Sequence, residues 1–199
     1  FRLPAFKHTA REVQVEGGAQ GGSAVGRSVF ESFENAADTL VFASPAIVAG
    51  EMKVTAGTLA LGTNGVTRTD AELPVFSNLV FAAGTTFDLD GNSLTVPNLT
   101  GAPTVTNAGT ITVSGSYTPV VENGRATTWE TTVPVAFAAD AKVTIPAGMA
   151  KKGVHTLITT TGGITGAPGV TAPDRFWEVR VEGNSLVAEH VSGLLLLLK

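Results

Sequence analysis

An all-β fold is predicted by three observations on this chain of 199 residues. Its composition leans on Thr, Val, Ala and Gly, with 23 glycines and few long helix-forming side chains, as many short strands joined by tight turns require. Short segments alternate apolar and polar residues with a period of two, as in Thr58-Leu59-Ala60-Leu61 and Phe87-Asp88-Leu89-Asp90. The tripeptide Ala-Gly-Thr recurs at 56, 83 and 108, spacings of 27 and 25 residues that suit a supersecondary unit stacked on its neighbours. Two architectures satisfy these observations: a parallel β-helix (solenoid) closed by a C-terminal β cap, or an antiparallel β-sandwich. Irregular strand spacing with Thr, Asn and Gly at the corners favours the first.

Taken in order, residues 1–27 carry an alternating stretch around Val13 and Val15, followed by a Gly-rich joint from Gly17 to Gly26. A short strand on such a joint can add to an open sheet edge, in its own chain or in a neighbouring copy. Residues 28–175 form the expected repeat domain. Strands are expected at Ser28–Phe33 and Thr39–Phe42, and Met52–Pro119 holds the repeat, with Leu59, Leu61, Phe87, Leu89, Ile111 and Val113 facing inward. Trp129–Phe137, Val143–Ile145 and Thr156–Ile158 supply later strands. Residues 176–199 read as a closing hairpin, Phe176–Val181 against Leu186–Val191. The string Asp90-Gly-Asn-Ser-Leu is echoed by Glu182-Gly-Asn-Ser-Leu, and both are expected to be strand-turn-strand corners.

A formal net charge of −4 and scattered Lys and Arg give no field for phosphates, so nucleic acid is not an expected partner. The absence of cysteine removes disulfides and thiolate metal sites and is compatible with export. No apolar run is long enough to span a bilayer, so no transmembrane segment is expected. The chain starts at Phe1 without a signal-peptide pattern, which reads as a processed product or a fragment.

Chemistry-bearing patterns are sparse. His8, His155 and His190 stand far apart in sequence, with no second ligand at a metal-binding spacing. Asp88, Asp90 and Asn92 place oxygens on alternate positions and are the weak calcium candidates; beside that reading stands a purely structural corner. The strained Gly-x-Ser-x-Gly nucleophile turn, the P-loop lysine and the dinucleotide fingerprint are all missing. Outward carboxylates at Asp88, Asp90 or Glu130 could serve polysaccharide chemistry but read more simply as solvated acids. Trp129 and Trp177 are candidate sugar-stacking platforms, with packing as the plainer role. No catalytic residue and no cofactor is expected.

Four segments resemble the passenger domains of autotransporter-type surface proteins with autotransporter-associated β-strand repeats: Val54–Gly62, Phe87–Val96 with Asn98–Gly101, Val105–Val113, and His155–Ile164. The resemblance implies a right-handed parallel β-helix, exported to the surface of a bacterium or secreted, whose relatives serve as adhesins or surface-layer material. The chain departs from that family in leaving no further amphipathic strands after Lys199 for a membrane barrel, so self-translocation and an anchor within these residues are not expected.

The terminus from Gly193 to Lys199 holds five leucines in a row, which as a strand would need cover on both faces. Val13, Val15, Leu194, Leu195, Leu196, Leu197 and Leu198 are therefore the expected subunit contacts of a homo-oligomer or polymer joined through its ends. The function expected is that of a structural or adhesive subunit of an extracellular filament or lattice. A carbohydrate-binding adhesin fragment engaging a surface glycan is the alternative, with a polysaccharide-active enzyme behind it.

Overall fold

The computed structural model describes residues 6–8, 30–32, 39–42, 47–63, 66–69, 72–107 and 109–191. Among them the chain is built from strands, with no α-helix. Two large sheets share the consecutive strands between them. One contains β1 (Phe6–His8), β3 (Thr39–Phe42), β5 (Thr58–Leu61), β7 (Thr86–Asp88) and β9 (Thr104–Thr106). The other runs through β2 (Phe30–Ser32), β4 (Ile47–Val54), β6 (Val75–Phe81), β8 (Leu94–Thr100), β10 (Ile111–Thr118), β14 (Val135–Phe137) and β17 (Ile164–Thr165). On this second sheet β15 (Lys142–Thr144) pairs with the C-terminal half of β10, and β18 (Gly169–Thr171) pairs with β15.

From β2 to β10 the chain alternates between the sheets, so each strand pairs in parallel with the strand two before it. That is a repeat-like parallel arrangement. It corrects the sandwich alternative, because among the described residues antiparallel pairing in the large sheets is confined to β1 with β3. The antiparallel strands sit elsewhere: a small hairpin of β11 (Val121–Glu122) and β12 (Arg125–Ala126), and a sheet ordered β13 (Trp129–Thr131), β16 (Val154–Thr160), β20 (Ser185–His190), β19 (Trp177–Glu182). Within that sheet β13 and β16 remain parallel.

The pairing generates the core as columns of side chains. Met52, Leu79, Leu99, Tyr117 and Val143 occupy successive rungs of one column and are all buried. Leu40, Leu59, Phe87 and Val105 form the facing column of the other sheet. All six inward residues expected from the period of two are buried. Long strands bend where their ladder slips: the register of β10 against β8 shifts between Val113 and Ser116, opposite Pro97, a residue with no N–H to give to the ladder.

The Ala-Gly-Thr echo is only partly structural. Gly57 and Gly84 both take positive φ (72° and 77°) just before strands of the same sheet, whereas Gly109 precedes β10 in the other one. Ala108 lies outside the described residues, as do Val13, Val15, the joint from Gly17 to Gly26, and Leu194 to Leu198. The C-terminal hairpin lies where expected, at Trp177–Glu182 against Ser185–His190, with its turn at Gly183-Asn184.

Candidate functional site

Two places gather polar side chains. The first is the corner between β7 and β8, which contains Asp88, Asp90 and Asn92. Backbone φ is positive at Asp90 (47°) and at Gly91 (84°), and the Asn92 N–H donates to the Leu89 carbonyl at 2.8 Å, the signature of a type I′ turn. The turn drives the Asn92 side chain fully into the protein. There its Nδ2 donates to Thr63 Oγ1 (2.8 Å), Asp90 O (3.0 Å) and Leu89 O (3.1 Å), and its Oδ1 accepts the Arg68 N–H at 2.7 Å. These partners fix the amide orientation, since a flipped amide would oppose two carbonyls with its oxygen.

The acids around it are also engaged. Asp90 Oδ2 accepts from the Thr63 hydroxyl at 2.9 Å, and Asp88 Oδ1 accepts the Asp90 N–H at 2.9 Å. Asn107 Nδ2 spans both Asp88 oxygens at 3.1 Å each. The three calcium candidates are therefore neighbours, but protein donors hold their oxygens and tie Thr63, Arg68 and Asn107 to this corner. Among the described residues no group of three or more His, Cys, Asp or Glu is arranged to hold a metal.

The second place lies beside the C-terminal hairpin. Asp174 sits at its centre, with Lys151 Nζ at 2.6 Å from Oδ2, His190 Nε2 at 3.2 Å from Oδ1 and the Phe176 N–H donating to Oδ1 at 3.1 Å. The hydrogen bond from Lys151, more than any other contact, holds the Asp174 carboxyl below the usual carboxylate range. Trp177 contacts two histidine rings, with centroids 5.9 Å from His155 and 5.2 Å, edge-on, from His190. His155 Nε2 is 2.8 Å from the Ala150 carbonyl, and His190 Nδ1 is buried without a hydrogen-bond partner among the described residues. His8 is in β1, away in sequence and sheet, so sequence distance misjudged only His155 and His190, which both contact one tryptophan.

This cluster joins the loop before β16, the entry to β19 and the end of β20. Its chemistry is that of a clasp: a buried tryptophan in ring contact with two imidazoles, and an aspartate held by a lysine. Both tryptophans are buried, Trp129 fully and Trp177 to within 3%, so the stacking role considered for them is corrected: neither ring face is available to a sugar. Trp129 instead donates Nε1–H to the Pro103 carbonyl at 2.9 Å and packs on Tyr117, whose phenol burial drives its pKa upward. Glu130 is exposed on β13.

A side-chain signal was missed at Asn123-Gly124, whose adjacent positive φ values (50° and 78°) close the β11–β12 hairpin, the strongest short-range hairpin dipeptide there is. No protein family, no curated protein and no solved structure matches this chain. Among the described residues no helix is long and apolar enough to cross a membrane.

Proposed function

We propose that this chain is an exported structural or adhesive surface protein, a subunit of an extracellular filament or surface lattice, built as a right-handed parallel β-helix and working without catalysis. The observation that carries the reading is the column core: apolar side chains stack rung upon rung from Met52 to Val143 while the chain passes between two parallel sheets. Such a core makes a stiff body whose length grows with the number of rungs, which is what a scaffold needs. The right hand follows from the rule for parallel crossovers. The autotransporter-like wording of Val54–Gly62 and Phe87–Val96 supports export to a bacterial surface or medium.

The polar clusters support the same reading, since the corner at Asn92 and the clasp at Asp174 spend their hydrogen bonds on holding the body together. The test is electron microscopy of the purified protein together with a polysaccharide panel. Ordered multimers and no released product are expected; monodisperse single particles at high concentration, or turnover of a glycan, would overturn the reading.

A further inference from the structure

Among the described residues, the strand ladder is closed at one side of its C-terminal end and left open at the other. On the side of β13 and β16, the parallel pairing gives way to antiparallel β20 and β19, and the paired residues Ile158 and Leu186 are both buried. On the side of β14 and β15 the last rungs among the described residues are β17 and β18, and each pairs along one edge only. Gly169, Val170 and Thr171 of β18 are all exposed.

Val170 is not a surface residue by register. It is the next member of the core column that runs through Met52, Leu79, Leu99, Tyr117 and Val143. Those five are at most 1% exposed, whereas Val170 is 39% exposed. Ile164 likewise follows Leu94, Ile111 and Val135, and is only half buried. Among the described residues the end therefore offers an unpaired parallel edge together with the open end of an apolar core, a combination that free proteins avoid.

We infer that this end is a contact for a second copy of the chain, stacked head to tail, with β2 of one copy continuing the ladder on β18 of the next. The column itself says which strand fits. It starts at the register position of Phe30, opposite Met52, and ends at Val170, so a second copy brings the first position of the same column onto the last. Every pair along the column is parallel, and head-to-tail stacking preserves that direction while head-to-head stacking reverses it. Pro168 and Pro173 bracket β18 and restrict an added strand to about three residues. β2 has three, Phe30–Ser32. A heterologous contact of this kind does not close on itself and propagates as a filament.

This contact rests on the reading of the chain as an assembly subunit, and the experiment separates the two. Sedimentation velocity and electron microscopy are run on the full chain, on Val170→Lys and the near-isosteric Val170→Thr, and on Val66→Lys as a control at a valine that is 58% exposed away from this end. Circular dichroism checks that each variant keeps its strands. The expected result is that Val170→Lys raises the concentration for assembly at least about tenfold, Val170→Thr raises it less, and Val66→Lys leaves it unchanged. Multimers with unchanged onset in both Val170 variants would remove this contact and leave the subunit reading standing. A full chain that stays monomeric would remove the subunit reading and the contact with it. A chain ending before Leu194 that passes from monomer to multimer would show that its own C-terminal segment covers this end, and would also overturn the inference.

Discussion

Replacing Asn92 by aspartate changes one side-chain nitrogen to oxygen and should destabilise the protein more than its size suggests. The wild-type amide gives hydrogens to Thr63 Oγ1, Asp90 O and Leu89 O and receives one from the Arg68 N–H, all in a fully buried position. Asn92→Ala removes these bonds and leaves the Arg68 N–H facing a void. At about 1 kcal/mol net for a lost bond and about 1 to 3 kcal/mol for a buried unpaired donor, the cost is roughly 3 kcal/mol. Asn92→Asp keeps the Arg68 contact but turns a charged oxygen toward two carbonyls. A buried carboxylate with acceptors for neighbours has its pKa raised on folding.

The sign then follows from linkage. A carboxyl with a raised folded pKa favours folding while protonated and loses that contribution as pH rises from the unfolded value, about 3.9, through the folded one. Urea unfolding at pH 7 should therefore place Asn92→Asp at or below Asn92→Ala, and its deficit relative to wild type should shrink toward pH 4. Out of a typical total of about 5 to 15 kcal/mol, a loss of roughly 3 is easily measured. An aspartate variant as stable as wild type at pH 7, or a deficit independent of pH, would refute the view of Asn92 as the corner's donor. Calcium that restored the variant to wild-type stability would instead return these residues to the metal-site reading.

Other outcomes follow from the same geometry. Gly101 has φ of +107°, and an added Cβ would lie within contact distance of the Phe81 carbonyl, so Gly101→Ala should cost about 2 to 4 kcal/mol; Gly183→Ala, at φ +57° in open space, should cost about 1 kcal/mol in the same melts. Because Lys151 lowers the Asp174 carboxyl, the stability that this carboxylate adds is present above its ordinary value of about 3.9 and is lost as pH falls through the lowered one. Asp174→Asn should accordingly reduce the melting temperature at pH 6, with the difference fading below about pH 4. Trp129→Phe strands the Pro103 carbonyl and should cost about 1 to 3 kcal/mol by urea unfolding. Since both tryptophans are buried, saturating oligosaccharides should leave their fluorescence unchanged, and a shift on titration would contradict that burial.

The inward residues were legible because alternation is a local property: Leu59 and Leu61, or Phe87 and Leu89, declare a shared face without reference to the rest of the chain. Turn identity was not legible from the same letters. Gly-Asn-Ser-Leu follows Asp90 and Glu182 alike, yet the first copy turns the chain from one sheet to another with Asn92 buried, while the second closes a hairpin with Asn184 exposed. The difference lies in whether the flanking strands pair with each other, and that is decided by neighbouring rungs. Asn92's partners Thr63 and Arg68 are 29 and 24 positions away, beyond any short motif. The histidines beside Trp177 escaped notice for the same reason, being brought together by the pairing of His155 with Ala188 on one edge of β20 and of Trp177 with His190 on the other.

The column core also explains why no regular repeat length is visible. Met52, Leu79, Leu99, Tyr117, Val143 and Val170 are separated by 27, 20, 18, 26 and 27 residues, yet they stack in register. The variation is taken up in the connections, where extra chain changes closure entropy only slowly with length. What each rung must preserve is a few strand residues with apolar ones facing in; between strands the length can differ, apart from tied corners such as Asn92 and close approaches such as Gly101. On the proposed β-helix reading, the inner strands among the described residues already satisfy one another, and unmet pairing capacity is concentrated at the ends of the ladder. If the chain is a subunit of something larger, the ends are where sequence change should alter assembly while leaving the fold intact, and Val170, a core residue by register and a surface residue by exposure, is where those two properties separate.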